Sequence, residues 1–254
     1  MYIAHQNIQA SGLLNLVAEV PSQERIAELT KLVYDNAHKL EHVYMAGGEP
    51  LLMKENLELL DILFEKNPNV NIRINTNLSK TGTRVFEKIC KFKNVHWTIS
   101  VDEMEQEFEY IRYGGVWQDF LDNLTVIMEL NHKISFNMLY HILNYKSLFE
   151  TINFFRFLGF HNNSFIIGVL ERPDYLNIRH LPDNVLQLVK DNIKEWLDEK
   201  PGYLLEDGLQ NVLQYVNEPI EKNLDNTLKR IKEMDTRRNI DSTQVFTEFY
   251  KDIN

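Results

Sequence analysis

Residues 42–50 read His-Val-Tyr-Met-Ala-Gly-Gly-Glu-Pro, a short apolar run that ends in a glycine-rich turn. The run has the length and composition of a buried β-strand. The two glycines allow backbone angles that other residues avoid, and Pro50 stiffens the turn by fixing its own φ. Helical apolar spacing precedes this stretch at 22–40 and follows it at 54–66. The sequence therefore predicts a helix, a strand, a specialised turn and a second helix.

The same alternation continues along the chain. Four more strands are predicted, at residues 70–76, 95–101, 134–140 and 165–170, and the helices between them lie at 80–91, 117–130 and 147–158. Strands that alternate with helices of about 10 to 15 residues are typical of βαβ units and a parallel sheet. After the last strand the alternation stops, and helical patterns follow at 186–197, 204–216 and 220–234.

Three parts of the chain are expected: an N-terminal segment at 1–21, a barrel-like part at 22–171 and a mainly helical extension at 172–254. The first predicted element is a helix, whereas a parallel α/β barrel normally opens on a strand. The first strand is therefore expected to be missing, which leaves a sheet edge with unpaired backbone groups. We expect residues 2–20 or a partner chain to cover this edge. The apolar side chains available for this are Leu13, Leu14, Leu16 and Val17.

The composition is that of an ordinary globular protein, with 254 residues of which 44% are hydrophobic and 25% charged. The formal net charge of −10, from 27 basic and 37 acidic side chains, disfavours a nucleic-acid partner because the chain repels phosphate backbones. No apolar run of about 18 residues occurs, and residues 1–20 lack the basic start and cleavage site of a signal peptide. The sequence predicts a cytoplasmic protein with no membrane partner.

The sequence contains a single cysteine, Cys90, in a helical pattern with Phe86 and Ile89. This setting favours a buried and inert thiol. One cysteine forms neither an internal disulfide nor a thiolate metal cluster, and the eight histidines lack the spacing of motifs such as HExxH. No metal site is predicted in the chain, and its catalytic residues are left unassigned.

Ligands in α/β sheets bind at the carboxyl ends of the strands, where the loops converge. In the first of these loops, Gly47 and Gly48 let the backbone approach a ligand closely, and Glu49 adds a carboxylate. Backbone carbonyl groups beside a carboxylate suit a ligand ammonium group. The alternative is an ordinary tight turn between a strand and a helix.

Two further loops place small polar side chains at strand ends, namely Asn75, Thr76 and Asn77 in one and Ser100 and Asp102 in the other. Their hydroxyl, amide and carboxylate groups suit a ribose or a carboxylate. The alternative is helix capping by Ser79 and Asp102. A fourth loop, residues 108–117, offers Arg112, whose guanidinium matches a carboxylate; a surface salt bridge is the alternative there.

Taken in order, these loops resemble those of the radical S-adenosylmethionine (SAM) enzymes. Residues 47–50 match the GGEP motif of that family, and residues 76–77 and 100–102 follow the next two strands as they do there. Residues 109–117 and 172–182 are similar to a subgroup that carries a small accessory twitch domain. The resemblance implies a partial (β/α)6 TIM-like radical SAM barrel without its first strand, and a mainly helical, twitch-like C-terminal extension.

The resemblance also implies a SAM site. The residues implied to bind SAM are Gly47, Gly48, Glu49, Pro50, Thr76, Asn77, Ser100, Asp102 and Arg112. Glu49 and the two glycines would line the methionine amino group. Ser100 and Asp102 would approach the ribose or the carboxylate, with Arg112 as a further candidate for the carboxylate.

In the family, a CxxxCxxC loop after the first strand holds a 4Fe–4S cluster, whose electron cleaves SAM to methionine and a 5′-deoxyadenosyl radical. That loop is absent here, and Cys90 cannot replace it. The leading expectation is a radical SAM protein that lacks its cluster-binding segment through truncation, a split gene or a mistaken start, and that is inactive alone. A separate chain is a candidate source of the cluster loop. The substrate, a small molecule or a peptide, is not specified.

Two other classes of function remain open. The first is a non-catalytic relative that kept the barrel as a binding or scaffold protein, and the intact series of loops counts against it. The second is an unrelated α/β enzyme, such as a sugar-phosphate barrel. That enzyme requires a phosphate-binding glycine loop near the last strands, where Gly168 stands alone.

Overall fold

The computed structural model describes residues 23–253. The strands are β1 (His42–Met45), β2 (Asn71–Thr76), β3 (Val95–Ser100), β4 (Lys133–Tyr140) and β5 (Phe165–Val169). The helices are α1 (Gln23–Asn36), α2 (Glu55–Lys66), α3 (Arg84–Ile89), α4 (Glu105–Ile111), α5 (Trp117–Met128), α6 (Ser147–Phe157), α7 (Asp183–Asp198), α8 (Tyr203–Asn217), α9 (Leu224–Arg238), α10 (Ser242–Val245) and α11 (Thr247–Asp252). The five strands form one sheet in the order β1-β2-β3-β4-β5, and the described chain after β5 is helical. The predicted α/β fold is confirmed.

The described residues form two compact units, and the first consists of residues 23–100 with Gln118–Ser135. Within it, β1 pairs with β2 and β2 pairs with β3, both in parallel. One face of these strands is buried and largely apolar, and it consists of Val43, Met45, Ile72, Ile74, Trp97 and Ile99. Helix α3 packs on this face through Phe86, whose ring centroid lies 5.7 Å from that of Trp97. Removal of this apolar surface from water stabilises the unit.

The second unit consists of Val101–Trp117 with residues 136–253. Here β4 pairs in parallel with β5, and Phe136 lies opposite Phe165. The ring of Phe136 stacks on Phe165 at 5.7 Å and on Phe155 of α6 at 4.2 Å. Aromatic stacking therefore joins the two strands and the helix between them into one core.

Close contacts tie the C-terminal helices to the rest of the second unit. Helix α8 approaches β5 so closely at Gly208 that an added Cβ would lie 2.8 Å from the carbonyl oxygen of Ile167. On α9, Asp235 accepts hydrogen bonds from the Tyr110 hydroxyl of α4 at 2.8 Å and from the Ser242 hydroxyl at 2.6 Å. These helices are therefore an integral part of the unit's core.

Helix α4 corrects the sequence analysis, which read this stretch as part of a loop. The helix has only seven residues, too few to show a clear 3.6-residue period. It is held by burial of Phe108 and Tyr110, which are 3% and 1% exposed. Tertiary contacts, which the local pattern does not contain, therefore determine this helix. Helices α10 and α11 also lie beyond the elements that the sequence predicted.

Helix α3 is shorter than the predicted helix at 80–91 because its cap lies further along the chain. The Thr83 hydroxyl oxygen accepts a hydrogen bond from the backbone N–H of Phe86 at 3.1 Å. A threonine in this position satisfies one of the free N–H groups of the first turn. The capping role considered for Ser79 is therefore wrong for this helix, and Thr83 takes it.

Some expectations are not addressed by the described residues. The coverage of a sheet edge by residues 2–20, through Leu13, Leu14, Leu16 and Val17, lies outside them. The limits expected at residues 21 and 171 stay predictions. From residue 23 to residue 253, no helix combines the length and the hydrophobicity that a bilayer crossing requires.

Candidate functional site

The turn after β1 has a backbone that only glycine adopts readily. Gly47 has φ of 92° and Gly48 has φ of 56°, in the region that L side chains rarely occupy. Both residues are exposed, whereas Ala46 before them and Pro50 after them are buried. The turn therefore presents bare backbone to solvent at the carboxyl end of the strand, which is where a ligand of an α/β sheet binds.

Glu49 connects this turn to the end of β2 through hydrogen bonds. Its Oε1 accepts hydrogen bonds from the Thr76 hydroxyl at 2.6 Å and from the Leu51 backbone N–H at 3.2 Å. Its Oε2 accepts from the Asn77 backbone N–H at 2.8 Å. The carboxylate thus joins two strand ends that lie far apart in the sequence. Each carboxylate oxygen has two lone pairs, so Oε2 keeps acceptor capacity for a ligand N–H group.

Buried Asn56 fixes the far side of the same turn, and sequence reasoning missed it. Asn56 is 0% exposed, and its side-chain N–H group donates to the Pro50 carbonyl oxygen at 2.8 Å. A buried asparagine near the start of an apolar helix is unusual and was the available signal. Together, Asn56 and Glu49 hold the turn from two directions, so its geometry is fixed before any ligand binds.

The loop after β2 is also ordered by its own polar groups. Thr76 is 2% exposed, and its hydroxyl oxygen accepts from the Leu78 N–H at 2.9 Å. Asn77 is exposed, and its side-chain oxygen accepts from the Ser79 N–H at 2.9 Å. At the end of β3, the Ser100 hydroxyl donates to Asn75 at 3.3 Å. The first unit therefore brings the predicted Glu49, Thr76 and Asn77 into one hydrogen-bonded group.

Asp102 and Arg112 form a pair within the second unit. Asp102 is 6% exposed, and its Oδ2 lies 2.7 Å from an Arg112 Nη. Its Oδ1 accepts from the Leu139 N–H at 2.7 Å. The residue at the N-cap of α4 is Met104, so the capping role considered for Asp102 is wrong. The salt bridge considered for Arg112 exists, but its acidic partner is buried rather than at the surface.

Glu103 and His141 form a buried pair next to Asp102 that the sequence did not reveal. Both are almost fully buried, and a Glu103 carboxylate oxygen contacts His141 Nε2. The Leu143 N–H donates to His141 Nδ1 at 3.2 Å, which places the ring proton on Nε2, facing Glu103. Glu103 Oε2 has no hydrogen-bond partner among the described residues. An Asp-Glu pair directly after an apolar strand was the available signal.

Burial dominates the protonation of this pair. It raises the pKa of Glu103 to about 7, although the contact with His141 opposes the shift. Burial lowers the pKa of His141, and the Glu103 carboxylate more than offsets that effect, so the net shift is upward. Glu103 therefore gains and loses its proton near neutral pH when the protein is folded, and His141 holds its proton more tightly than a free histidine does.

The turn after β1 suits the amino-acid part of a ligand such as SAM, whereas the sequence does not supply the ligands of an iron–sulfur cluster. The exposed glycine backbone and the ordered carboxylate of Glu49 suit the amino group of an amino-acid ligand. A cluster requires several thiolates, whereas the sequence has one cysteine. Cys90 follows α3 and is half-buried, and burial raises the pKa of its thiol to about 11. Among residues 23–253, no group of three or more His, Cys, Asp or Glu side chains could hold a metal ion.

A parallel α/β sheet with a two-glycine turn and polar groups at its strand ends defines a protein that binds its ligand at the carboxyl ends of the strands. The family model described as the Radical SAM superfamily matches residues 15–155, more than half of the chain. The chain belongs to the radical SAM superfamily. The fold is accordingly the partial TIM-like barrel of that family.

Two solved structures show the same fold. Streptococcus suis SuiB bound to S-adenosylmethionine aligns with a TM-score of 0.52 at 16% identity, over 72% of this chain and 43% of that chain. SuiB bound to the precursor peptide SuiA aligns with a TM-score of 0.53 at 16% identity, over 74% of this chain and 43% of that chain. This chain therefore spans less than half the length of SuiB. No curated protein matches the sequence.

Proposed function

We propose that this chain binds SAM at the carboxyl ends of β1 and β2. Gly47, Gly48 and Glu49 would receive the methionine amino group, with Pro50 holding the turn. The observation that carries the proposal is the Glu49 carboxylate, fixed by the Thr76 hydroxyl and two backbone N–H groups beside exposed glycines. Family membership and the SAM bound to SuiB support the choice of ligand.

The other candidate residues extend the proposal within each unit. In the first unit, Thr76, Asn77 and Ser100 would lie near the ribose. In the second unit, Asp102 and Arg112 are proposed for the ribose or the carboxylate. Both oxygens of Asp102 already accept hydrogen bonds inside the unit, so its part would be to orient Arg112.

The reaction we propose for an assembly that includes this chain is reductive cleavage of SAM. The cluster that supplies the electron requires thiolates that these 254 residues do not contain. They would come from another segment or from a separate chain, and without them this chain would be inactive. We also propose a twitch-like role for the C-terminal helices and a cytoplasmic location.

Isothermal titration of the purified chain tests the proposal. We expect the wild-type chain to bind SAM. Glu49→Gln should weaken SAM binding by about tenfold or more, because a charge-assisted hydrogen bond is worth about 1.5 to 3 kcal/mol. Adenosine, which lacks the amino acid, is the matched ligand and should bind both forms equally. Glu55→Gln, an exposed change on α2, is the control variant. Absence of SAM binding by the folded wild type contradicts the proposal.

A non-catalytic binding or scaffold role is the second candidate. The observation that favours it is that both oxygens of Asp102 already accept hydrogen bonds from within the unit and that the sequence lacks the cysteines of a cluster site. Under this alternative, the strand-end groups stabilise the fold and no longer serve a ligand. Replacement of Glu49 and Ser100 would then leave SAM titrations unchanged, which separates the two candidates.

A further inference from the structure

One face of the sheet in the first unit is polar, which is unusual for parallel strands. Such strands are normally covered on both faces and read as continuous apolar runs. Here every second residue of β1, β2 and β3 is buried, and these residues are apolar except Thr76, whereas the residues between them are mostly polar. The side chains on this second face are Tyr44, Arg73, Asn75, His96, Thr98 and Ser100. A face of this kind is suited to a polar ligand.

Strand register brings three of these polar groups into one line, and a hydrogen bond adds a fourth residue. Tyr44 lies opposite Arg73, and Arg73 lies opposite His96, so the three point to the same side of the sheet. His96 Nε2 lies 2.8 Å from the Ser135 hydroxyl oxygen. We call this group the polar row; it consists of Tyr44, Arg73, His96 and Ser135. The first three residues lie at one level of β1, β2 and β3, and Ser135 of β4 joins the row through its hydrogen bond with His96.

Arg73 has no acidic partner among the described residues. Its Nε donates to the Thr98 hydroxyl at 3.0 Å, and its guanidinium lies 5.7 Å from the centre of the Tyr44 ring. No ion pair joins Arg73 to a carboxylate among the described residues, although the chain carries a net charge of −10. The outer nitrogens of the guanidinium are therefore available to an incoming acceptor, in the fork geometry that matches a carboxylate.

The rest of the row adds hydrogen-bonding groups and no negative charge. Burial, then Lys133 and Arg73, lower the pKa of His96 to about 4, so its ring is neutral at pH 7. A neutral ring offers one N–H donor in addition to its contact with Ser135. The charged groups that face His96 are both basic, Arg73 on β2 and Lys133 on β4. The row is thus electrostatically complementary to an anion.

We propose that the polar row binds a carboxylate group of the substrate, with Arg73 as its main partner and His96, oriented by the Ser135 hydroxyl, as an additional hydrogen-bond donor. That the ligand is a substrate rests on the proposed SAM-dependent function, whereas the carboxylate site itself does not depend on it. A carboxylate fits better than a phosphate monoester because the row has one fixed guanidinium fork, whereas a phosphate carries about two negative charges. Lys133 at the exposed end of β4 strengthens the attraction without adding a second fork.

Titration of the full chain with succinate, followed through the histidine ring resonances in NMR, tests this site. Succinate is expected to shift the His96 signal and to raise the pKa of His96, because a nearby negative charge favours the protonated ring. Arg73→Gln should weaken succinate binding by about tenfold or more, and Arg73→Lys should weaken it less. Arg84→Gln, an exposed change on α3, is the matched control and should leave binding unchanged.

Three outcomes overturn the inference: no response of His96 to succinate, an equal response in Arg73→Gln, or inorganic phosphate binding more tightly than succinate. Neutral succinamide should give no response. SAM titration of the same samples separates the two proposals. If SAM binds and succinate leaves His96 unchanged, the carboxylate site is refuted and the SAM proposal stands. If succinate binds through Arg73 and SAM does not bind, the site is upheld and the SAM proposal is refuted.

Discussion

The buried carboxyl group of Glu103 makes the stability of the protein depend on pH. Burial raises its pKa from 4.5 to about 7, so the folded state holds the proton more tightly than the unfolded state does. Stability is therefore greater at low pH and is lost as pH rises from 4.5 through 7. From these two values, the loss between pH 5 and pH 8 is roughly 2 to 3 kcal/mol. The raised pKa of His141 acts in the same direction.

Glu103→Gln removes the ionisation and keeps the size of the side chain. We expect the free energy of unfolding of the wild type to fall by roughly 2 to 3 kcal/mol more than that of the variant between pH 5 and pH 8. Urea unfolding at several pH values, followed by tryptophan fluorescence, measures both slopes. Glu195→Gln, an exposed change on α7, is the control and should keep the wild-type slope.

The comparison of slopes reports on the Glu103–His141 pair, because Glu103→Gln also removes the carboxylate that raises the pKa of His141. The other titrating groups are the same in both proteins. A constant offset between wild type and Glu103→Gln is compatible with the reasoning, because a buried amide leaves an N–H group without an acceptor. If the free energies of unfolding of the wild type and of Glu103→Gln changed in parallel across the whole pH range, the assigned role of Glu103 would be refuted. That result would mean that the Glu103 carboxyl group is hydrated in the folded protein.

Two further changes test the packing and the turn. Gly208→Ala should destabilise the fold by about 1 to 3 kcal/mol, because the added Cβ would lie 2.8 Å from the backbone oxygen of Ile167. Gly82→Ala, whose Cβ meets nothing within 4 Å, is the control for thermal unfolding and should change little. Asn56→Ala should lower the free energy of unfolding by about 1 to 3 kcal/mol, because the buried Pro50 carbonyl loses its hydrogen-bond donor. Unchanged stability would show that water replaces the asparagine.

The sequence predicted the elements that have strong local patterns. The strand before the glycine turn, the alternation of strands and helices and the helical end of the chain all follow from runs and periods of apolar residues. Helix α4 was not predicted, because seven residues carry little periodicity and because its stability comes from burial of Phe108 and Tyr110. Ser79 was a reasonable cap by residue type, but Thr83 is the one adjacent to the helix.

The candidate site was predictable in its residues and not in its contacts. Residue types at strand ends pointed to Glu49 and Thr76, since such positions converge in any parallel sheet. The bond between them, across 27 positions of sequence, depends on strand order and register. The same reason hid the contact of Glu103 with His141 and the polar row. Alternation in β2 showed that Arg73 points away from the core, but only the pairing of β2 with β3 places His96 beside it.

Hydrogen exchange of the chain with and without SAM tests whether SAM binds at the carboxyl ends of β1 and β2. We expect SAM to slow exchange of backbone amides in residues 46–52 and 76–79, where the glycine turn and the loop after β2 lie. Glu49→Gln should remove most of this protection at the same SAM concentration. Protection confined to other parts of the chain, or none at saturating SAM, would contradict the assignment of the SAM site to this edge of the sheet.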